Sequence, residues 1–275
     1  MSIERTPAPH DLLAFYVEAG VDCALDEVAA DRLAAPEPAP PPRPAAAAPQ
    51  PRPAAPAAPA LLPGHAAAAP DVAIQSAREA ARTAATLEDL RALMEGFDGC
   101  ALKVTASRLV FADGNPQARV MFVGEAPGRD EDLQGLPFVG RSGQLLNRMM
   151  AAIGLSRDSA YITNIIPWRP PGNRDPSPIE TQICLPFIKR HIELVDPEVL
   201  VCLGKPSTQT LLNVTDGIVR TRGRWFDYDT GSRVIGAMPT FHPAYLLRQP
   251  VSKRQSWQDF RAIARRLAER TGGAQ

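Results

Sequence analysis

The chain has 275 residues, of which 30 are lysine or arginine and 30 are aspartate or glutamate, so its formal net charge is zero. This balance excludes a uniformly basic protein, and no apolar run is long enough to span a membrane. The N-terminus lacks the basic and then apolar order of a secretory signal, so a cytoplasmic protein is expected. Residues 71–275 hold 26 basic against 22 acidic side chains, so any nucleic-acid surface must be a local patch.

The first 70 residues predict a helical segment followed by a linker. Apolar residues at helical spacing within residues 11–32 predict one or two short amphipathic helices in an N-terminal segment, residues 1–33. These helices could dock on their own core or bind a protein partner. Residues 34–70 are almost entirely Ala and Pro, which predicts a disordered spacer. The folded domain is therefore predicted over residues 71–275.

Residues 72–97 predict an Ala-rich helix with an internal restart. Thr86 and Asp89 are spaced like a capping box, which predicts a second helix start, and Gly96 and Gly99 end that helix. The cysteines of the chain are far apart and form no CxxC pair, which excludes a disulfide framework and a complete metal knuckle. They are Cys23, Cys100, Cys184 and Cys202.

The apolar run at residues 120–123 predicts a buried parallel strand that ends in a loop of small residues, GEAPG. Open α/β sheets bind ligands at this end of their strands, where small residues let a ligand approach the backbone. Phe138 follows on a proline-stiffened, glycine-rich loop, where its ring could stack on a flat ligand such as a base. The acidic run at residues 130–132 is expected to be a solvated cluster at a helix start. Residues 142–153 predict a helix whose N-terminus could bind a phosphate.

Three more strands of the parallel sheet follow, and a hairpin leads into the last of them. Residues 161–166 and 198–203 predict buried strands, and residues 180–194 predict a helix between them. Residues 221–229 and 232–240 predict a hairpin whose second strand ends directly before Phe241 and His242.

Four strands that alternate with helices predict a three-layer α/β/α fold with a central four-stranded parallel sheet. The last helix, residues 253–270, is expected to turn Trp257 and Phe260 toward the core. The strand ends then meet at one edge of the sheet. One crevice is predicted to receive Glu125, Phe138, Asn164 and His242.

Three long motifs stand in order along the chain: GEAPGRDEDLQGLPFVGRSGQLL, YITNIIPWRPPGNRDPSPIE and FHPAYLLRQP. Together they resemble the family 4 uracil-DNA glycosylases, and the resemblance covers the chain from about Gly96 onward. It implies a DNA repair enzyme that flips uracil out of uracil-containing DNA and hydrolyses its N-glycosidic bond, leaving an abasic site. The alternative is a binding module that grips flipped or abasic lesions in the same crevice without turnover. We expect a monomer.

The resemblance also implies roles for individual residues. Glu125 and His242 are the expected catalytic residues, with His242 at O2 of the departing uracil. Gly124, Phe138 and Asn164 are expected to bind uracil, because an amide offers a donor and an acceptor side by side. Ala126 stands where other branches of the superfamily carry a water-positioning Asp or Asn, so Glu125, backbone groups and leaving-group contacts are expected to share that task. The expected DNA contacts are Ser142, Arg169, Arg174, Leu246, Leu247 and Arg248.

A [4Fe-4S] cluster is the cofactor that the resemblance implies, held by four cysteines. At the matching positions this chain has Phe97, Cys100, Trp168 and Cys184. Two thiolates cannot hold such a cluster without replacement ligands, and aromatic rings cannot ligate iron. We therefore predict that the cluster is lost and that Phe97 and Trp168 fill its volume. A labile metal at the two remaining thiols, Cys100 and Cys184, is the alternative.

Overall fold

The computed structural model describes residues 70–271. The predicted segment 1–33 and nearly all of the predicted linker 34–70 lie outside the described residues. Pro70, assigned to the linker, is the first residue of a helix. Within residues 70–271, no helix is both long and apolar enough to cross a membrane.

Two helices and a short turn precede the sheet. They are α1 (Pro70–Thr83), α2 (Leu87–Gly96) and α3 (Leu102–Thr105). The predicted restart is confirmed, because the Thr86 hydroxyl accepts the N–H of Asp89 and the Asp89 carboxylate accepts the N–H of Thr86, both at 3.0 Å. This reciprocal pair satisfies backbone donors that have no partner within the helix.

One six-stranded sheet forms the centre, with the strands in the order β1-β3-β2-β4-β6-β5. The strands are β1 (Asp113–Gly114), β2 (Val120–Gly124), β3 (Tyr161–Asn164), β4 (Val199–Leu203), β5 (Phe226–Asp229) and β6 (Val234–Thr240). The four central strands are parallel, as predicted, and β5 forms the predicted hairpin with β6. The antiparallel edge strand β1, only two residues long, was not predicted.

Helices cover both faces of this sheet, so the predicted three-layer α/β/α fold is confirmed. The helices that follow β2 are α4 (Arg129–Gln134), α5 (Arg141–Ala151), α6 (Pro178–Val195), α7 (Lys205–Leu212), α8 (Ile218–Thr221), α9 (Pro243–Arg248) and α10 (Lys253–Thr271). Alternate residues of β2 enter different cores, since successive side chains of a strand point to opposite faces. Met121 packs into the core that holds α1, α2 and α6, whereas Phe122 packs with α5 and α10.

The last helix differs from the prediction at its first turn. Phe260 is buried against the sheet as expected, but Trp257 is 44% exposed. Trp257 lines a pocket between α5, α9 and α10. The prediction that Trp257 faces the core is therefore wrong, because helical spacing specifies a face but not how far the helix is covered.

Candidate active site

A cleft of about 550 Å³ opens where the parallel strands end. Seven of the predicted site residues line it: Glu125, Phe138, Ser142, Asn164, Arg174, His242 and Arg248. The register of the sheet explains part of this convergence, because Gly124 at the end of β2 lies directly opposite Asn164 at the end of β3.

Asn164 carries an unsatisfied polar atom. Its side chain is 5% exposed, and its Oδ1 has no hydrogen-bond partner among the described residues. Leaving a buried oxygen unpaired costs about 1–3 kcal/mol, so a donor is expected to occupy this position. A Cβ on Gly124 would lie 2.4 Å from Asn164 Oδ1 and 2.6 Å from Phe138 Cζ. Only glycine therefore keeps open the space between the amide and the ring.

Phe138 is held in an unfavourable backbone conformation. Its φ of 55° is left-handed, which costs a non-glycine residue about 1–2 kcal/mol. The Arg157 guanidinium donates hydrogen bonds to the carbonyl oxygens of Pro137 and Phe138 and pairs with Asp113. A Cβ on Gly143 would lie 1.6 Å from the Phe138 carbonyl oxygen, so α5 can approach the loop only with glycine there. These contacts fix the ring at the cleft.

Two buried carboxylates accept hydrogen bonds from loop N–H groups, and one of them, Glu131, holds the loop that carries Phe138. Glu131 accepts hydrogen bonds from the backbone N–H groups of Gly128 (3.1 Å), Val139 (3.1 Å) and Gly140 (3.0 Å). Asp132 accepts those of Ser107 (2.8 Å) and Arg108 (3.3 Å). Both side chains are buried, so the prediction of a solvated run at residues 130–132 is wrong for these two. Loop N–H groups without strand partners require such acceptors.

His242 is the N-cap of α9, and its ring state follows from that contact. Its Nδ1 accepts the N–H of Ala244 at 3.1 Å, so the ring proton of the neutral imidazole lies on Nε2. Burial, and then the charge of Arg248, lowers the pKa of His242 to about 4. The imidazole ring is tilted by 32° against that of Phe138, with 5.5 Å between the ring centroids. The cleft therefore contains a neutral histidine whose proton lies on Nε2.

Glu125 brings a carboxyl group to the same cleft. Burial raises its pKa above the ordinary value, and the nearby Asp175 carboxylate adds to that rise. The Glu125 side chain has no hydrogen bond or ion pair within the described part of the chain. Arg174 does not neutralise it, since the Arg174 guanidinium binds Glu180 at 2.6 and 2.9 Å.

Only some of the residues predicted to contact DNA lie on an open surface of the structure. Ser142, Leu247 and Arg248 line a second cavity of about 480 Å³, together with the unpredicted Arg129 and Arg141. Leu246 is 1% exposed and packs over α5, so only Leu247, 38% exposed, remains as an apolar surface contact of α9. Arg169 donates to Asn173 at 2.7 Å and approaches Asp132 to 4.0 Å, so it stabilises its own loop.

The four positions matched to cluster ligands lie in one buried core. Phe97, Cys100, Trp168 and Cys184 all belong to the core that holds α1, α2 and α6. The Cys184 side chain, as a hydrogen-bond partner, lowers the pKa of the Cys100 thiol, and the same contact raises that of Cys184. The Phe97 ring packs edge-on against Phe187, with 5.0 Å between centroids.

Asp175 lines the cleft and was not predicted as a site residue. Lys205 and Tyr245 line it as well. The sequence marks both positions, since Lys205 follows a glycine at the end of a parallel strand and Tyr245 lies within the FHPAYLLRQP motif. Arg157 offers no such signal, because a single arginine in a short 3₁₀ turn does not reveal which carbonyl groups lie near it.

Comparison with known proteins gives consistent matches over this region. The family model described as the uracil DNA glycosylase superfamily matches residues 111–261. The type-4 uracil-DNA glycosylase of Archaeoglobus fulgidus is 39% identical over 182 residues, which cover 65% of this chain and 92% of that protein. The enzyme of the same name from Saccharolobus solfataricus is 38% identical over 176 residues, which cover 62% of this chain and 82% of that protein. The one from Thermotoga maritima is 41% identical over 150 residues, which cover 54% of this chain and 77% of that protein.

Proposed function

The chain belongs to the type-4 uracil-DNA glycosylases, within the uracil DNA glycosylase superfamily, and we propose that it excises uracil from DNA and leaves an abasic site. The observation that carries this proposal is the buried, unpaired amide oxygen of Asn164 in a cleft that also holds Phe138 and a neutral His242. The reaction is a hydrolysis in DNA repair, and we assign it to the predicted domain, residues 71–275. We expect the enzyme to act in the cytoplasm, in association with the nucleoid if the chain is bacterial.

Recognition begins when the uracil nucleotide leaves the base stack. Asn164 Oδ1 can accept the N3–H of uracil, and its amide N–H can donate to O4. This pairing supplies the donor that the buried oxygen lacks. Phe138 is placed to stack on the ring, and the absence of a side chain on Gly124 leaves room for it.

The C1′–N1 bond then breaks, and its electron pair passes to the uracil ring. Negative charge develops at O2, where the Nε2–H of a neutral His242 can donate a hydrogen bond. Such a fixed donor stabilises developing charge without reorganisation. The low pKa of His242 keeps the imidazole neutral at neutral pH, so the leaving group departs as a hydrogen-bonded anion.

Water completes the reaction by attacking C1′, and the proton that it releases is taken up by the departing uracil anion, directly or through solvent. Glu125 directly follows the end of β2, and its carboxyl group has no hydrogen-bond or ion-pair partner among the described residues, so we assign it to position that water and to stabilise the cationic sugar. Ser142, Leu247 and Arg248 are assigned to the DNA backbone and to the space vacated by the base.

Glu125→Gln is expected to slow excision roughly 10²-fold at neutral pH. Glu125 acts as a carboxylate, so the parent rate should fall as the pH decreases through its pKa, which lies above the ordinary glutamate value. The variant should lack this acid limb, while Glu79→Gln, a change on the exposed face of α1, should retain it. Single-turnover rates across the acid range test the assignment, and an unchanged limb in Glu125→Gln would contradict it.

We further infer that this chain carries no [4Fe-4S] cluster. The donor set does not fit one, because Phe97 and Trp168 offer no ligand atom and both are buried in the core. Among the described residues, no three His, Cys, Asp or Glu side chains come together as a metal-binding group. No step of the proposed reaction uses iron.

The purified protein is accordingly expected to be colourless and to contain less than one iron per chain. Anaerobic purification followed by iron analysis and visible spectroscopy measures this directly. Substituting Cys at both Phe97 and Trp168 provides the matched comparison, since it restores the four thiols. A brown parent protein with a full complement of iron would overturn the inference.

Substrate specificity tests the proposed function. A duplex with a single U·G pair and an otherwise identical duplex with T·G are incubated with excess protein and then treated with alkali. Strand breakage is expected at uracil and not at thymine. An intact uracil strand after prolonged incubation with folded protein would refute the proposal.

A further inference from the structure

An unusual surface lies beside the cleft, between the end of α9 and the first turn of α10. Three large apolar side chains are exposed there: Leu247 at 38%, Val251 at 89% and Trp257 at 44%. The exposed cations Arg248, Lys253 and Arg254 lie between them in sequence. Apolar and aromatic side chains interleaved with cations are typical of surfaces that bind single-stranded nucleic acid.

Beside Trp257 is an apolar pocket of about 200 Å³ between α5, α9 and α10. Its lining consists mainly of Leu145, Met149, Ala152, Leu246 and Phe260. An apolar cavity of about 150 Å³ is large enough for benzene, so this pocket can take one aromatic ring. Trp257 forms an exposed wall on which such a ring could stack.

Two cations, Arg148 and Lys253, stand at this pocket. Neither makes an ion pair or a side-chain hydrogen bond within residues 70–269, whereas Arg157 and Arg222 bind carboxylates. Arg148 is also two helical turns from Arg141, which lines the cavity next to the cleft. Seven residues of helix place the two side chains on one face, about 10 Å apart. Arg141, Arg148 and Lys253 thus form a row of positively charged side chains between the cavity next to the cleft and the apolar pocket.

We propose that DNA flanking the flipped uracil follows this face and that one unpaired nucleobase enters the pocket and stacks on Trp257. Its neighbouring phosphates would lie on Arg148 and Lys253. The inference rests on the proposed function and extends it, because it assigns the enzyme a second base-binding site outside the uracil pocket. The charge of the rim favours a nucleotide over an uncharged apolar peptide as the occupant.

The test compares Trp257→Ala with Trp257→Phe and with the double change Arg148→Gln and Lys253→Gln. Lys189→Gln, on α6 at the opposite face of the sheet, is the matched control. Dissociation constants are measured by fluorescence anisotropy for single strands with long flanks around uracil, and for strands trimmed close to uracil on the 5′ or the 3′ side. Thermal melts establish that each variant is folded.

Trp257→Ala is expected to reduce the ratio of long-strand to trimmed-strand affinity about tenfold, and Trp257→Phe much less. The double change should lower the slope of log affinity against log salt by about 1 to 2. An unchanged ratio in folded Trp257→Ala would overturn the inference, as would an equal loss on all strands. A parent protein that does not excise uracil in the same samples would instead refute the proposed function.

Discussion

Asn164→Asp is expected to slow single-turnover excision of uracil on the order of 10³-fold while leaving a folded protein. The change keeps the shape of the side chain but replaces a donor with a second acceptor. An ionised carboxylate would face O4 of uracil with no proton between them, and it would also leave a charge in a buried pocket. Losing one contact costs about 1–3 kcal/mol, and the buried charge adds to that cost.

The direction of the pH dependence distinguishes this mechanism from a packing defect. Burial raises the pKa of an introduced carboxyl group, so its protonated form increases as the pH falls. That form again offers a donor beside an acceptor. The ratio of variant to parent rate should therefore rise toward low pH. Asn213→Asp, at the exposed left-handed end of α7, is the control and should excise at the parent rate. A parent-like rate for Asn164→Asp would make Asn164 a turn residue.

His242→Ala is expected to slow excision by roughly 10²–10³-fold, because it removes the donor at the departing uracil. The same change also removes the N-cap of α9, in which Nδ1 accepts the N–H of Ala244. Capping alone is worth about 0.5–2 kcal/mol of stability. His242→Asn separates the two effects, since an asparagine can cap the helix but does not reach the Nε2 position.

A better leaving group provides the second control for His242. Fluorine at C5 stabilises the uracil anion, so 5-fluorouracil depends less on the Nε2–H donor. The rate difference between parent and His242→Ala should therefore shrink on 5-fluorouracil in DNA. An equal difference on both bases, or full activity in His242→Asn, would assign His242 to helix capping.

Much of the cleft follows from one rule about parallel strands. Asn164 and the Gly124 loop end adjacent strands, so their meeting at one sheet edge was predictable. The supporting contacts were not predictable, because burial of Glu131 and Asp132 depends on N–H groups of loops distant in sequence. The exposure of Leu246 and Leu247 could not be predicted either. The sequence pattern of α9 does not reveal that α5 covers Leu246 and leaves Leu247 exposed.

The cluster positions illustrate a different limit. The sequence has Phe97 and Trp168 where the resemblance implies cysteine ligands, and neither ring can ligate iron. The way in which the Phe97 and Trp168 rings pack is visible only in the folded structure. They join a core that α1, α2 and α6 share, where Phe97 meets Phe187 edge-on. Side chains far apart in sequence make that packing, so no local pattern contains it.

The most direct measurement counts the products of the reaction. Protein is incubated with a molar excess of uracil-containing DNA, and free uracil and abasic sites are quantified in the same samples. Hydrolysis predicts equal amounts of the two products, rising well beyond one per protein molecule. Stable binding of the DNA with no release of free uracil would contradict the account and establish a lesion-binding module in the same cleft.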